Sequence, residues 1–188
     1  MRKPILRRLT FLLLSIFLTG GLQARQDYSS ARAAEKMRLR AARTGPQSRD
    51  GFTYKTYSNA RYRYSVSYPE GLLIPQGESD NGDGQKFLSK DGRAEMRVFG
   101  FHNLDGSLED AYQAAQFYKK DESTRHVVTY KVLRKSWFVV SGLLDGRIFY
   151  LKTILRGPVF KSFVLEYDES QKAAFDPVVA RIAQSFKG

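Results

Sequence analysis

Alternating aromatic and polar positions after Gly51 predict β-strands. Residues 52–57 (FTYKTY) mix the two types, and residues 61–68 (RYRYSVSY) alternate strictly. Successive side chains of a strand point to opposite faces, so Tyr62, Tyr64, Val66 and Tyr68 share one face of a half-buried strand. The segment Pro69-Glu70-Gly71 then ends this strand, because proline and glycine interrupt regular structure.

The next stretch predicts a second pair of strands. Residues 86–90 and 93–102 flank Asp91-Gly92. An Asp-Gly pair between two extended runs predicts a two-residue hairpin turn in which both turn positions adopt positive φ. Before this hairpin, residues 72–74 form a short apolar segment closed by Pro75, and residues 76–85 (QGESDNGDGQ) predict a flexible acidic loop.

Two helices and four more strands complete the predicted fold. Ser107 is a good N-cap for a first helix, and the second helix is predicted to be capped by Asp176, with Pro177 at its first position and a helical turn at 170–175 before it. The four strands between the helices are rich in β-branched and aromatic residues and cover 126–135, 136–143, 147–156 and 159–167. Short connections make neighbouring strands antiparallel. The fold class is therefore α+β, an antiparallel sheet covered by two helices.

Three segments resemble the PsbP-like, or Mog-like, fold family. These are residues 62–71 (YRYSVSYPEG), residues 136–150 with Trp137 near their start, and residues 175–186 at the terminal helix. The family takes its name from an extrinsic subunit of the plant oxygen-evolving complex and a nuclear Ran-binding protein. The resemblance covers about residues 52–187 and implies an α/β/α sandwich like that of the exported bacterial members. It implies a non-enzymatic role, but no metal or partner motif transfers residue by residue.

The N-terminus has the three parts of a secretory signal. Residues 1–8 carry four basic residues and no acid, residues 9–18 are apolar, and small residues precede a cleavage site after Ala24. We therefore expect a signal peptide at 1–24, a basic linker at 25–50, a single domain at 51–188, and a periplasmic or secreted product. The alternative is an uncleaved leader that anchors the chain to the inner membrane, because Leu22 occupies a position that prefers a small residue.

Composition excludes several functional classes. The chain has no cysteine, which excludes disulfides, thiolate catalysis and thiolate metal sites. The first fifty residues contribute +8 of the net charge of +12, so the domain itself is only mildly basic. A nucleic-acid surface would need a clustered basic face, and none is predicted. Membrane contact is expected only through an uncleaved leader or the basic linker.

Candidate chemistry is sparse. His102 with Asp105 suggests a base and its orienting carboxylate, yet no nucleophile elbow is present, and Ser141 lies within a predicted strand. The acidic loop suggests calcium, but aligning Asn81 and Asp83 on the loop pattern puts Lys90 where a bidentate glutamate belongs. We therefore predict no catalytic residue, no metal and no cofactor.

A binding surface is the remaining interpretation. It is predicted around Trp137, Arg147, Tyr150 and Lys152, and Lys152 stands out because it shares a strand face with apolar residues. The leading hypothesis is an exported accessory module that binds an envelope protein. A small-ligand or lipid carrier, with a cleft between sheet and helix lined by tyrosines, is the first alternative, and an unrecognised hydrolase is the second.

Overall fold

The computed structural model describes residues 50–103 and 106–188, which belong to one compact unit, Ser48–Gly188. The predicted signal peptide and nearly all of the predicted linker lie outside the described residues. Nine strands alternate with tight turns in the described part: β1 Tyr54–Asn59, β2 Tyr64–Pro69, β3 Ile74–Glu78, β4 Gly84–Leu88, β5 Ala94–His102, β6 His126–Arg134, β7 Trp137–Leu144, β8 Arg147–Arg156 and β9 Val159–Asp168. Within residues 50–103 and 106–188, two helices are described: α1 Leu108–Ala115 and α2 Lys172–Ser185, with a 3₁₀ turn at Glu169–Gln171 before α2.

The strands form two sheets, and every pairing is antiparallel. Seven strands form the main sheet in the order β3-β4-β5-β9-β8-β7-β6. Strands β1 and β2 form a separate two-stranded sheet, and Ser65 of β2 also bridges to Lys187. Strand β9 is at the centre, and eight of its ten residues are buried. The last strand in sequence therefore lies in the middle of the sheet, joining the β3–β5 half to the β6–β8 half.

The turn and loop predictions between residues 72 and 93 need correction. The segment predicted as a flexible loop contains the last three residues of β3 and the first two of β4, and Glu78 pairs with Gln85. At Asp91-Gly92 only Gly92 adopts positive φ, of 70°, and the Ser89 amide donates to the Ala94 carbonyl in a longer turn. The Ser89 hydroxyl donates to the Asp91 carboxylate and stabilises this longer turn.

A two-residue hairpin turn with positive φ at both positions occurs instead at Asp145-Gly146. Their φ angles are 49° and 75°, and Leu144 pairs with Arg147 directly across the turn. These angles are those of a type I′ turn, whose backbone twist matches that of the two flanking strands.

The helices differ in how well the sequence predicted them. Helix α1 begins at the predicted cap, where Ser107 and Asp110 form a reciprocal capping box. Helix α2 begins at Lys172, four residues before the predicted cap Asp176, so Pro177 lies inside the helix. The extension buries Phe175 completely against the Tyr167 ring, with 4.8 Å between ring centroids. Pro177 is the sixth residue of α2, past the first four positions whose amides lack partners within a helix, so it removes one backbone hydrogen bond from the helix.

Alternate residues of β9 contribute to two separate apolar clusters. Phe163 and Leu165 belong to a cluster with residues of β2 and α2, whereas Phe160 and Val164 belong to a cluster with residues of α1 and β7. Side chains alternate along a strand, so these clusters lie on opposite faces of the sheet. The domain is therefore α+β, a mostly antiparallel sheet with two helices, and this part of the prediction is confirmed.

Candidate functional site

The four residues of the predicted binding surface divide between the two faces of the sheet. Trp137, Tyr150 and Lys152 lie on the α2 face, where Trp137 and Lys152 are brought together by the pairing of β7 with β8. Arg147 is on the α1 face, and its Nε is 3.9 Å from the Glu166 carboxylate. A single surface can therefore include only three of the four residues.

Lys152 supports the end of helix α2. Its Nζ donates a 2.6 Å hydrogen bond to the Ala183 carbonyl and is 5.6 Å from the centre of the Trp137 ring. Carbonyls near a helix C-terminus carry partial negative charge and lack partners within the helix, so a cation is favourable there. Burial lowers the pKa of the Lys152 amine. This contact accounts for the lysine on an apolar strand face without a ligand.

Tyr150 lines an open groove next to the edge strand β6. The groove has a volume of about 480 Å³, and charged residues of the 3₁₀ turn and α2, namely Glu169, Lys172 and Asp176, form one side of it. The Tyr150 ring stacks on Phe163, and burial raises the pKa of its hydroxyl to about 12. On β6 itself, Tyr130 is 55% exposed and Val127 is 44% exposed. We call the surface formed by Val127, Tyr130 and Tyr150 the tyrosine face.

The sequence did not single out Val127 and Tyr130. In the sequence, both residues have the types expected of any strand. In the structure, a β-bulge between Val128 and Tyr130 interrupts the two-residue alternation of side chains along β6. Bulges are common at sheet edges, where they re-aim side chains. Only the strand order shows that β6 is an edge strand, and therefore that these side chains are exposed.

A second candidate site lies between α1 and the other face of the sheet. It is an open cleft with a volume of about 390 Å³, which we call the α1 cavity. Its walls are mainly phenylalanine and alanine side chains: Phe99, Phe101, Phe138 and Phe160 from the sheet, with Ala111, Ala114 and Ala115 from the helix. Two buried hydroxyl groups, those of Thr153 and Ser162, are joined by a 2.9 Å hydrogen bond within this lining.

A charged network adjoins the α1 cavity. The Glu166 carboxylate is buried and accepts hydrogen bonds from Tyr118 and Lys119 at 2.6 Å and from Arg97 at 3.2 Å. Burial raises the pKa of Glu166, but the hydrogen bonds from Lys119 and Tyr118 and the positive charges of Lys119 and Arg97 outweigh it, so the net shift is downward. Glu166 is therefore ionised at neutral pH. Lys119, which bonds to Glu166, has a φ of 51°, an uncommon backbone conformation for a non-glycine residue.

The histidines and Ser141 are not assembled into a catalytic group. His102 is on β5 and His126 is on β6, at positions separated by β9, β8 and β7 in the sheet. His102 contacts the Tyr62 ring, whereas His126 stacks on Phe149, and burial followed by the charge of Lys120 lowers the pKa of His126. The Ser141 hydroxyl donates to the Phe149 carbonyl within the sheet. Asp105 lies outside the described residues.

In the acidic loop, for which the sequence analysis rejected a calcium site, the Asp83 carboxylate is hydrogen-bonded within the loop. Asp83 accepts hydrogen bonds from the Ser79 hydroxyl at 2.6 Å and from the Asn81 amide at 2.8 Å. Within residues 50–103 and 106–188, no three acidic or histidine side chains are grouped so that they could hold a metal ion. In the same part of the chain, no helix is both long and apolar enough to span a bilayer.

Comparison with known proteins gives the fold. No family model matches the sequence, and no curated protein matches it. The solution structure of cyanobacterial PsbP (CyanoP) from Synechocystis sp. PCC 6803 is similar, with a TM-score of 0.57 and 14% identity over 72% of this chain and 92% of that chain. A crystal structure from Bacteroides thetaiotaomicron VPI-5482 has a TM-score of 0.43 and 14% identity, and the match covers 71% of this chain and 48% of that one. The domain has a PsbP-like fold, as the sequence resemblance implied.

Proposed function

We propose that this protein is an exported, non-enzymatic binding module that recognises another envelope protein through the tyrosine face. The single observation behind this proposal is the exposure of Tyr130 and Val127 on edge strand β6, next to the groove lined by Tyr150. Aromatic side chains surrounded by polar groups are typical of protein interfaces. The charged side chains along the groove supply such a polar rim.

The position of α2 explains why this surface is open. Helix α2 shares its apolar cluster mainly with β2 and the β4, β5 and β9 strands. We infer that α2 and the β1–β2 hairpin cover the centre of this face and leave most of β6 open, while α1 covers part of the other face. A partner on the tyrosine face would therefore contact the sheet directly.

Export rests on the N-terminal sequence, which has a basic start, a short apolar segment and small residues before Ala24. Cleavage would release the domain into the periplasm or the medium, whereas an uncleaved leader would hold it at the inner membrane. Fractionation with mass spectrometry of the N-terminus tests this step. A full-length product in the cytosol would refute export.

Site-specific photo-crosslinking in cells tests the proposed interface. A photoreactive phenylalanine analogue at Tyr130 is expected to capture a defined envelope protein. The same analogue at Phe117, which is 62% exposed and follows α1, is the matched control and is expected not to capture it. With a second crosslinking site at Val127, Tyr130→Ser is expected to weaken capture without unfolding the domain. Equal capture from both faces, or full capture by Tyr130→Ser, would contradict the proposal.

A further inference from the structure

The α1 cavity has the size and lining of a small-molecule site. Its volume of about 390 Å³ is within the range of ligand pockets, which are concave and mostly apolar with a few polar groups. The space exists because α1 presents alanines to it, at positions 111, 114 and 115, where larger side chains would fill the gap. This lining favours the apolar part of a ligand.

The cavity adjoins a second groove, and the two share lining residues on the same face of the sheet. Arg97 and Phe99 line both the α1 cavity and a neighbouring groove of about 540 Å³ that extends over β4 towards β3. A ligand lying beneath α1 would therefore reach Arg97 where the two spaces meet. The Arg97 Nε and Nη2 atoms already contact Glu95 and Glu166, which orients the guanidinium.

Positive charge exceeds negative charge at this junction. Four cationic side chains and two carboxylates are connected by ion pairs of 4 Å or less: Lys86, Arg97, Lys119 and Arg147 with Glu95 and Glu166. The cations outnumber the carboxylates by two in this cluster, so its net charge is positive and attracts an anionic group. A positively charged group would be repelled.

We propose that the α1 cavity binds a small amphipathic carboxylate, with its apolar body among the phenylalanines and its carboxylate at Arg97. A guanidinium matches a carboxylate in geometry and remains charged at every physiological pH. The site differs from the predicted tyrosine-lined cleft, since Tyr118 is the only tyrosine in its lining. It is also independent of the tyrosine face, which lies on the opposite face of the sheet.

Calorimetric titration of the purified protein with decanoate and with decanol tests the proposal. The two probes share the alkyl chain and differ in charge. Decanoate is expected to bind in a saturable, one-to-one manner, and decanol about tenfold more weakly, because a hydrogen bond to a charged group is lost. Failure of decanoate to bind, or equal affinity for the two probes, would overturn the proposal.

Variants locate the binding. Ala114→Phe adds bulk at an exposed helix position that lines the cavity and is expected to abolish decanoate binding. Gln113→Phe is the matched control, because Gln113 is exposed on the same helix but does not line the cavity. Arg97→Gln is expected to lower affinity for decanoate about tenfold and to leave decanol unaffected. Unchanged binding by Ala114→Phe would overturn the proposal, whereas retained binding by Tyr130→Ser separates this site from the tyrosine face.

Discussion

Replacing Glu166 by glutamine removes the one buried carboxylate of the charged network and tests its contribution to stability. Each hydrogen bond between a carboxylate and a donor contributes about 1.5–3 kcal/mol, and Glu166 accepts three. Its cationic partners are between 34% and 46% exposed, so they regain hydration when the charge is removed. The glutamine oxygen also retains part of the bonding. We therefore expect the free energy of unfolding to fall by about 2 kcal/mol at neutral pH.

The pH dependence gives the sharper test. The pKa of Glu166 is lower in the folded state than its ordinary value. The ionised carboxylate therefore contributes to the free energy of unfolding at pH values above its unfolded pKa of about 4.3. That contribution is lost as pH falls through the folded pKa. Urea denaturation of wild type and Glu166→Gln at pH 7, 5 and 3 is therefore expected to show a stability difference that holds at the first two values and shrinks at the third.

A matched substitution shows whether burial is responsible. Glu95 is 30% exposed and pairs with Arg97 and Lys86, so Glu95→Gln is expected to cost less than about 1 kcal/mol. The reasoning is refuted if Glu166→Gln costs no more than Glu95→Gln. It is also refuted if the stability difference for Glu166→Gln is the same at pH 3 as at pH 7.

Three further substitutions test the core and the sheet by urea denaturation. Thr153→Val leaves the buried Ser162 hydroxyl without its partner and is expected to lower the free energy of unfolding by about 1–2 kcal/mol. Adding Ser162→Ala to this variant is expected to cost little more. Strictly additive costs of the two substitutions would contradict this coupling. Phe175→Ala empties a fully buried position and is expected to cost about 3–5 kcal/mol, and a cost below about 1 kcal/mol would show that α2 does not depend on it. Gly142→Ala would place a methyl group 2.0 Å from the Val127 carbonyl oxygen. We therefore expect the free energy of unfolding to fall by about 2 kcal/mol or more, together with reduced crosslinking from β6. Wild-type stability and crosslinking would show that β6 can shift to make room for the methyl group.

Local pattern predicted the strands well where each strand has one consistent environment. Strands β6–β9 were predicted within two residues at their ends, because β-branched and aromatic residues between short turn signals are a strong local indication. The element missed was β3, where glycine, proline and acidic residues give no such indication. Strand β3 forms because its backbone pairs with β4, and all five of its side chains are exposed.

The candidate sites were harder to predict than the elements. Lys152 was recognised as unusual, but its partner is a carbonyl 31 residues away on α2. Glu166 and Arg97 did not stand out, because a charged residue within a strand gives no local indication of the distant residues it contacts. Their contact arises from the pairing of β5 with β9, in which Arg97 lies opposite Val164, two residues from Glu166.

The sequence by itself determined the α+β class, the hairpin order of the later strands, the capped start of α1 and the absence of thiol chemistry. These properties depend on the residue types present and on neighbours within a few positions. Tertiary structure alone decided that β9 is central and β6 is at an edge, and that the α1 cavity remains beside the sheet. Those outcomes depend on which distant strands pair, and the free energy of pairing comes from burial across the whole sheet, which no local segment encodes.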